Sequence, residues 1–185
     1  MIGRQDCHIS LLISLVSIRQ EYFWTWWLWD FNSSLCLFQT KPVCPVGWVL
    51  HVNSCFLVTD IPTLGWSDVR RNCQKLGGDL AKIASASENQ FISDLVTKQK
   101  KITDAGVWLG LHRKADNKFY WADGTLLAGY SNWNTGEPNS VAEKCGHLYT
   151  KGSAKGKWND WTCSRTSDSS AKNAPVVLCQ KKAKH

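Results

Sequence analysis

The sequence predicts one α+β domain that begins near Cys44, and three observations lead to this prediction. Two amphipathic helical patterns come first, apolar strand patterns follow them, and an Asn-, Gly- and Ser-rich stretch at residues 126–157 interrupts the strands. Helices that precede strands, rather than alternating with them, are typical of α+β domains. A length of 185 residues allows one such domain with an additional segment.

A small hairpin is predicted before the first helix. Short apolar stretches at residues 46–49 and 55–58 are joined by polar residues, which is typical of two paired strands. A bridge between Cys44 and Cys55 could close this hairpin.

Two helices follow, each predicted from its cap and its apolar face. Ser67 is the expected N-cap of the first helix, and the glycines at 77–78 are expected to end it. Its apolar face comprises Val69, Cys73 and Leu76. The second helix is expected to start at the capping-box sequence 87–90 and to fade near residues 98–101. Its apolar stripe comprises Phe91, Ile92, Leu95 and Val96.

Strands dominate the remainder of the chain. Residues 107–111 and 119–121 are predicted strands, an Asp-Gly turn follows at 123–124, and residues 176–179 form the last predicted strand. The stretch at 126–157 is interpreted as a loop region. Loops of this length inside a compact domain are usually functional.

Eight cysteines indicate disulfide bonds and therefore an oxidising compartment. None of them belongs to a Cys-x-x-Cys pair or to a Cys/His cluster with zinc-ligand spacing. Eight cysteines allow 105 pairings, among which the sequence alone does not choose. The alternative is a cytosolic protein with unpaired buried thiols.

Residues 1–43 differ from the rest and are interpreted as a Trp-rich, leader-like segment. Residues 9–18 form an apolar run that suits a signal peptide and is too short to span a membrane. Asp6 before the run and the lack of a clear cleavage site keep a poorly formed membrane anchor or a mis-set start as alternatives. We therefore expect a secreted or extracellular domain at residues 44–182, followed by a basic tail at 183–185.

The composition excludes several classes of protein. Lys+Arg 22 against Asp+Glu 15 give a net charge of +7, which could favour anionic surfaces without specificity. No motif that combines aromatic and basic residues supports a nucleic-acid partner. Only 13 Gly and 5 Pro, without a three-residue period, exclude a collagen-like region.

Five oxygen-bearing side chains in and after the loop region suggest a site for a hard cation. They are Glu137, Asn139, Glu143, Asn159 and Asp160. Calcium takes six to eight oxygen ligands in flexible geometry, whereas zinc prefers His or Cys and magnesium keeps more water. The alternative is that these are ordinary polar loop residues.

From Cys44 to Lys181 the chain resembles the C-type lectin domain, also called the C-type carbohydrate-recognition domain. The resemblance rests on the two-helix entry, the cysteine spacing and three short motifs in the family's order. The motifs are Trp108-Leu109-Gly110-Leu111, Glu137-Pro138-Asn139 and Trp158-Asn159-Asp160. This resemblance implies the C-type lectin fold, in which two helices and antiparallel sheets carry a long calcium-binding loop region stapled by disulfides.

The resemblance also implies how the cysteines pair. The implied bridges are Cys73–Cys179 closing the domain, Cys145–Cys163 closing the loop region, and Cys44–Cys55 as the additional bridge of longer members. Cys7 and Cys36 have no counterpart in the family, and they could be removed, paired with each other or used between chains.

A calcium-dependent sugar site is implied as well. The five oxygen-bearing residues would hold the principal Ca²⁺ ion and contact the sugar, with a cis bond before Pro138. Two vicinal hydroxyls would complete the coordination and exchange charge-assisted hydrogen bonds with the same acids and amides. The Glu-Pro-Asn order accompanies mannose, N-acetylglucosamine and fucose in the family, so we expect a mannose-type site.

Two departures from the family pattern qualify this expectation. Only three residues separate Asn139 from Glu143, which makes a shorter loop than most mannose-type members have. Ser140 and Arg113 stand where the auxiliary calcium site would carry acids, and only Asp116 remains, so we expect that site to be absent or weak. Low affinity for a single sugar would call for an oligomer with useful avidity.

The remaining aromatic residues have mainly structural interpretations. Core positions are expected for the tryptophans at 48, 66, 108, 121, 133, 158 and 161, with Trp133 and Trp161 bordering the site. His147 is expected to be structural, because neutral histidine is a poor calcium ligand.

The sequence supports two functional hypotheses. The first is a calcium-dependent lectin for mannose-type glycans, including those of microbial surfaces in innate immunity. The alternative is a protein-binding or mineral-associated member of the fold without sugar binding. An enzyme is not expected, because no nucleophile–base pair or open zinc site is present in the sequence.

Overall fold

The computed structural model describes residues 41–59, 65–99, 106–164 and 176–185. The expectation of a leader-like segment at residues 1–43 falls outside the described residues, except for its last three positions. The expectations for Cys7 and Cys36 lie wholly outside them.

Two helices and eight strands make up the described residues, which confirms the α+β class. In chain order they are β1 (Val49–His51), β2 (Ser54–Thr59), α1 (Trp66–Lys75), β3 (Asp79–Leu80), α2 (Ala86–Lys98), β4 (Val107–Arg113), β5 (Phe119–Trp121), β6 (Cys145–Leu148), β7 (Trp158–Trp161) and β8 (Val177–Lys182). No helix in these described ranges is long and apolar enough to cross a bilayer.

The strands form two antiparallel four-stranded sheets. The first has the order β1-β2-β8-β3, so that the last strand of the domain pairs with one of its first strands. The second has the order β5-β4-β6-β7 and carries the motifs on which the calcium expectation rests. The predicted hairpin is confirmed as β1 and β2, although Val46 lies in a turn before it and is fully exposed.

The core consists of two clusters of buried apolar side chains. One packs α2 against both sheets through residues such as Phe56, Ile92, Leu109 and Trp158. The other surrounds the sulfur atoms of Cys73 and Cys179, and includes Trp66, Val69 and Trp108. Burying a large apolar side chain contributes roughly 1.5–3 kcal/mol before the conformational entropy is subtracted.

All three disulfides implied by the family resemblance are present. They are Cys44–Cys55, Cys73–Cys179 and Cys145–Cys163. The second of these joins residues 106 positions apart. Closing a loop of that length stabilises the fold by roughly 4–5 kcal/mol in the chain-entropy model.

The first helix begins differently from the prediction. Ser67 lies inside the first turn, and the N-cap is Gly65, which offers no side-chain cap. Tertiary packing explains this choice, because a Cβ atom on Gly65 would lie 2.8 Å from the Cys163 carbonyl oxygen. Trp66 anchors the helix instead, through its indole N–H, which donates to the Leu109 carbonyl at 2.7 Å. Leu76 is the C-cap rather than part of the buried face, and it is 42% exposed.

The capping box of the second helix also lies two residues earlier than expected. Ser85 Oγ accepts from the Glu88 N–H at 3.2 Å, and Glu88 Oε2 accepts from the Ala84 N–H at 2.8 Å. This reciprocal pair satisfies two donors of the helix start. The predicted end of α2 near Lys98 is confirmed.

One strand was missed inside the stretch that was interpreted as a loop. β6 consists of Cys145, Gly146, His147 and Leu148, all buried, and it lies between β4 and β7. A strand buried on both faces has no alternating pattern, so its short, partly polar sequence does not indicate a strand. The strands predicted at 107–111 and 119–121 are confirmed, and the last strand extends further than predicted, to Lys182.

The position of the capping box can be tested by mutation. Ser85→Ala should lower the free energy of unfolding by about 1 kcal/mol, because the Glu88 N–H loses its acceptor. Ser87→Ala is the matched control, since the Ser87 hydroxyl is hydrogen-bonded to the Ser85 hydroxyl, at 3.0 Å, and accepts from no backbone N–H of the described residues. Urea denaturation of the oxidised domain measures both values, and a larger loss for Ser87→Ala would contradict the assignment.

Candidate functional site

The five candidate ligands come from the loop between β5 and β6 and from strand β7. Backbone hydrogen bonds fasten this loop to the strand: the Asn134 N–H donates to the Trp158 carbonyl at 2.8 Å, and the Glu137 N–H donates to the Asn134 carbonyl at 2.9 Å. The peptide bond between Glu137 and Pro138 is cis, as the resemblance implies. Strand β7 itself is positioned by its pairing with β6, in which Gly146 lies opposite Asp160.

The Asp160 carboxylate is the centre of the site. Its side chain is 0% exposed, and its Oδ1 accepts from the Asn139 N–H at 3.1 Å. Its Oδ2 accepts from the Ser140 N–H at 3.4 Å and from the Arg113 guanidinium at 3.0 Å. One buried carboxylate therefore ties the loop that carries three candidate ligands to strands β4 and β7.

Glu137 and Asn139 lie side by side on the outer part of this loop. The Asn139 amide donates to Glu137 Oε1 at 3.0 Å. The other carboxylate oxygen, Oε2, is buried and has no hydrogen-bond partner within the described part of the chain. The Asn139 amide and the Glu137 carboxylate are thus hydrogen-bonded to each other, and the second carboxylate oxygen takes no part in this bond.

Asn159 also carries a buried side-chain acceptor oxygen. Its amide nitrogen donates to the Asp160 carbonyl at 2.7 Å and lies 3.1 Å from His147 Nε2. Its Oδ1 is buried without a hydrogen-bond partner among the residues that the structure describes. Buried acceptors are almost always paired, so each of these two oxygens calls for a donor or a cation.

Burial and neighbouring acids raise the pKa values of Glu137 and Glu143. Burial, the neighbouring Asp160 carboxyl and the charge of Glu143 raise the pKa of Glu137 above its ordinary value. Burial and the charge of Asp160 raise the pKa of Glu143. Burial, followed by the same three acids, raises the pKa of the Tyr149 phenol. Arg113 supplies one nearby positive charge for these three carboxylates, so negative charge remains at the site.

The residues fit a calcium ion by their donor chemistry. No group of three His, Cys, Asp or Glu side chains in the described ranges is arranged as a metal site. The acids alone therefore do not form a cage, and a cation here would need the amide oxygens of Asn139 and Asn159 as well. Carboxylate and amide oxygens are the ligands that Ca²⁺ prefers, and the unpartnered Glu137 Oε2 and Asn159 Oδ1 are oxygens of these two types.

His147 is a neighbour of the site whose contact with a candidate ligand was not predicted. It is 2% exposed, which agrees with a structural position, and it reaches Asn159 because the two residues are opposite each other on β6 and β7. The sequence offered no signal for this contact, since β6 was interpreted as loop.

The two tryptophans that border the site are half-buried and pack on other aromatic rings. The ring centroids of Trp133 and Phe119 are 4.9 Å apart, and those of Trp161 and Trp108 are 6.2 Å apart.

A cavity of about 310 Å³ lies apart from the candidate site. Its lining includes Lys82 but none of the five candidate ligands.

Comparison with known proteins places these observations in one family. The protein family described as "Lectin C-type domain" matches residues 63–169, which make up more than half of the chain. A perlucin-like protein of Mytilus galloprovincialis is 34% identical over 127 residues, which cover 67% of this chain and 79% of that protein.

Solved structures agree with the sequence match. A C-type lectin domain of murine dendritic cell inhibitory receptor 2, solved in complex with an N-glycan, has a TM-score of 0.62 and 27% identity, covering 76% of this chain and 99% of that chain. A calcium-independent type II antifreeze protein has a TM-score of 0.63 and 28% identity, covering 78% of this chain and 98% of that chain.

The raised pKa values predict how calcium binding depends on pH. Without metal, the raised pKa values of Glu137 and Glu143 stabilise the fold at acidic pH, and this stabilisation is lost as the pH rises through those values. Calcium needs both groups ionised, so the increase in melting temperature on adding calcium should shrink from about pH 7.5 to about pH 5.

Thermal unfolding with calcium and with EDTA, repeated across this pH range, measures the effect. Asp94→Asn removes an exposed acid on α2 and serves as the control, with an unchanged pH dependence. An increase in melting temperature that is the same at both ends of the range would contradict the assignment of these two acids.

Proposed function

Because this chain belongs to the C-type lectin domain family, we propose that it is a calcium-dependent lectin for mannose-type glycans. A C-type lectin domain is a binding module and not an enzyme. The proposed ligands of the ion are the five residues Glu137, Asn139, Glu143, Asn159 and Asp160.

One observation carries the calcium part of this proposal. Two buried acceptor oxygens, Glu137 Oε2 and Asn159 Oδ1, lack hydrogen-bond partners in the described structure. Burial and the neighbouring carboxyl groups also raise the pKa of Glu137. A divalent cation would satisfy both oxygens and relieve the repulsion between the acids. When bound, calcium would supply open coordination positions for two neighbouring hydroxyl groups of a sugar.

The acid–amide pairs account for the proposed sugar preference. Glu137 and Asn139 would hold one hydroxyl, with the carboxylate accepting and the amide N–H donating, and their 3.0 Å hydrogen bond places these groups together. Glu143 and Asn159 would hold the other hydroxyl. The order in which acid and amide follow each other decides which diol geometry is favoured, and Glu-Pro-Asn is the mannose-type order.

The comparisons lend support to glycan binding in general. The murine receptor domain was solved in complex with an N-glycan. Three disulfides in the described domain suit a secreted or extracellular location, because such bonds persist in oxidising compartments. Because we expect low affinity for a single sugar, we infer that multivalent presentation or an oligomer supplies avidity.

A calcium-independent role as a protein-binding or mineral-associated module is the second candidate. The buried pair between Arg113 and Asp160 favours it, because a guanidinium already neutralises one of the proposed ligands. The similarity to a calcium-independent antifreeze protein points in the same direction. The second candidate predicts binding to a protein or mineral surface that EDTA and free mannose do not compete away.

Glycan-array binding distinguishes the two candidates. With calcium, the oxidised domain should bind mannose-, N-acetylglucosamine- or fucose-terminated glycans, and EDTA should remove this binding. Titration calorimetry on the same material should give about one calcium per chain, since a second site lacks the acids it needs. Array binding that persists unchanged in EDTA would refute the lectin proposal.

Exchanging the acid and the amide tests the contact residues directly. The double variant Glu137→Gln with Asn139→Asp should shift the preference from mannose towards galactose by about tenfold, which corresponds to about 1.4 kcal/mol. Competition with the two free sugars on an immobilised glycan measures the preference.

A matched control exchanges an acid and an amide far from the site. Gln90 donates to Asp94 at 3.0 Å on the exposed face of α2, so Gln90→Glu with Asp94→Asn makes the same kind of exchange. The control should keep the mannose preference. An unchanged preference in the Glu137/Asn139 variant would show that these residues do not contact sugar.

A further inference from the structure

Arg113 is the one cationic side chain seen in contact with the carboxylates of the site in the described structure. It is the last residue of β4, and its side chain is only 9% exposed. The guanidinium donates to Asp160 Oδ2 at 3.0 Å and to the Ser140 carbonyl at 3.3 Å. It also lies over the Phe119 ring, 4.4 Å from the ring centroid.

These contacts join three elements that are distant in sequence. Arg113 ends β4, Asp160 lies on β7, and Ser140 belongs to the loop that carries the proposed calcium ligands. The Arg113 backbone adds a further tie, since its N–H donates to the Lys144 carbonyl at 2.7 Å at the far end of this loop.

Asp160 requires a nearby positive charge, and Arg113 supplies it. An ionised carboxylate with 0% exposure needs a counter-charge, because burial of an unpaired charge is costly. The same carboxylate accepts the Asn139 and Ser140 N–H groups, so whatever neutralises Asp160 also holds the loop. A guanidinium suits this position, because its planar fork can donate to the carboxylate and to a carbonyl at once.

We propose that Arg113 is a positioning residue that acts as a resident counter-cation and keeps the loop at 137–144 assembled in the absence of calcium. Calcium would then bind to a loop that is already ordered, rather than fold it. This inference goes beyond the proposed lectin function, and it holds whether or not the chain binds sugar.

Two substitutions separate the charge of Arg113 from its packing. Arg113→Met keeps an apolar stem against the Phe119 ring and removes the charge, whereas Arg113→Lys keeps the charge and removes the planar fork. Amide hydrogen exchange of Asn139 and Ser140 in EDTA is the measurement, because both N–H groups donate to Asp160. Amides of β2 and β8 in the same sample report the state of the core.

The wild-type loop amides should be protected in EDTA. In Arg113→Met they should exchange at least about tenfold faster, while Arg113→Lys should keep most of the protection. If Arg113→Met also loses protection in the core while Arg113→Lys stays folded and protected, the requirement for a positive charge is likewise supported. Arg71→Gln, which removes an exposed arginine paired with Asp68 on α1, is the control and should change neither region.

Two results would overturn the inference. One is a loop that is as protected in Arg113→Met as in the wild type, and the other is a loop in Arg113→Lys that exchanges as fast as in Arg113→Met. Adding calcium in a separate arm tests the lectin proposal independently. Failure of calcium to bind leaves the comparison in EDTA unaffected, so the two proposals can fail separately.

Discussion

A single buried carboxylate organises the functional end of this domain. Asp160 has no contact with solvent, and its two oxygens accept from the Asn139 N–H, the Ser140 N–H and the Arg113 guanidinium. A charge in this position is stable only while its partners stay in place. The loop that carries Glu137 and Asn139 is therefore fixed by the electrostatic requirement of a residue on a neighbouring strand.

The rest of the fold keeps Asp160 in the position from which it can bind the loop. Strand β7 pairs with β6, and the bridge Cys145–Cys163 joins the start of β6 to the residue two positions after β7 ends. Trp158, at the first position of β7, is fully buried, and its indole N–H donates to Asn89 of α2 at 2.7 Å. The position of the site thus depends on a helix, two strands and a disulfide together.

The negative charges of the site favour a cation as its ligand. Arg113 pairs with Asp160. Burial, the Asp160 carboxyl and the charge of Glu143 raise the pKa of Glu137, while burial and the charge of Asp160 raise the pKa of Glu143. Two remaining acids, and two buried oxygens without hydrogen-bond partners among the described residues, match a divalent cation such as Ca²⁺. In its proposed role, the same guanidinium serves as a resident counter-cation for this loop.

Patterns within the sequence predicted the fold class and suggested the five candidate ligands, because apolar periodicity and short motifs are local properties of the chain. The three disulfides were implied only by the resemblance to the family, since the sequence does not choose among the possible pairings. Only the tertiary structure revealed strand β6, the cap at Gly65 and the partners of Asp160. β6 is defined by pairing on both edges, Gly65 by the approach of the Cys163 carbonyl, and the Arg113–Asp160 pair by contact between residues 47 positions apart. Burial and long-range contact decide such features, and neither is encoded in a short segment.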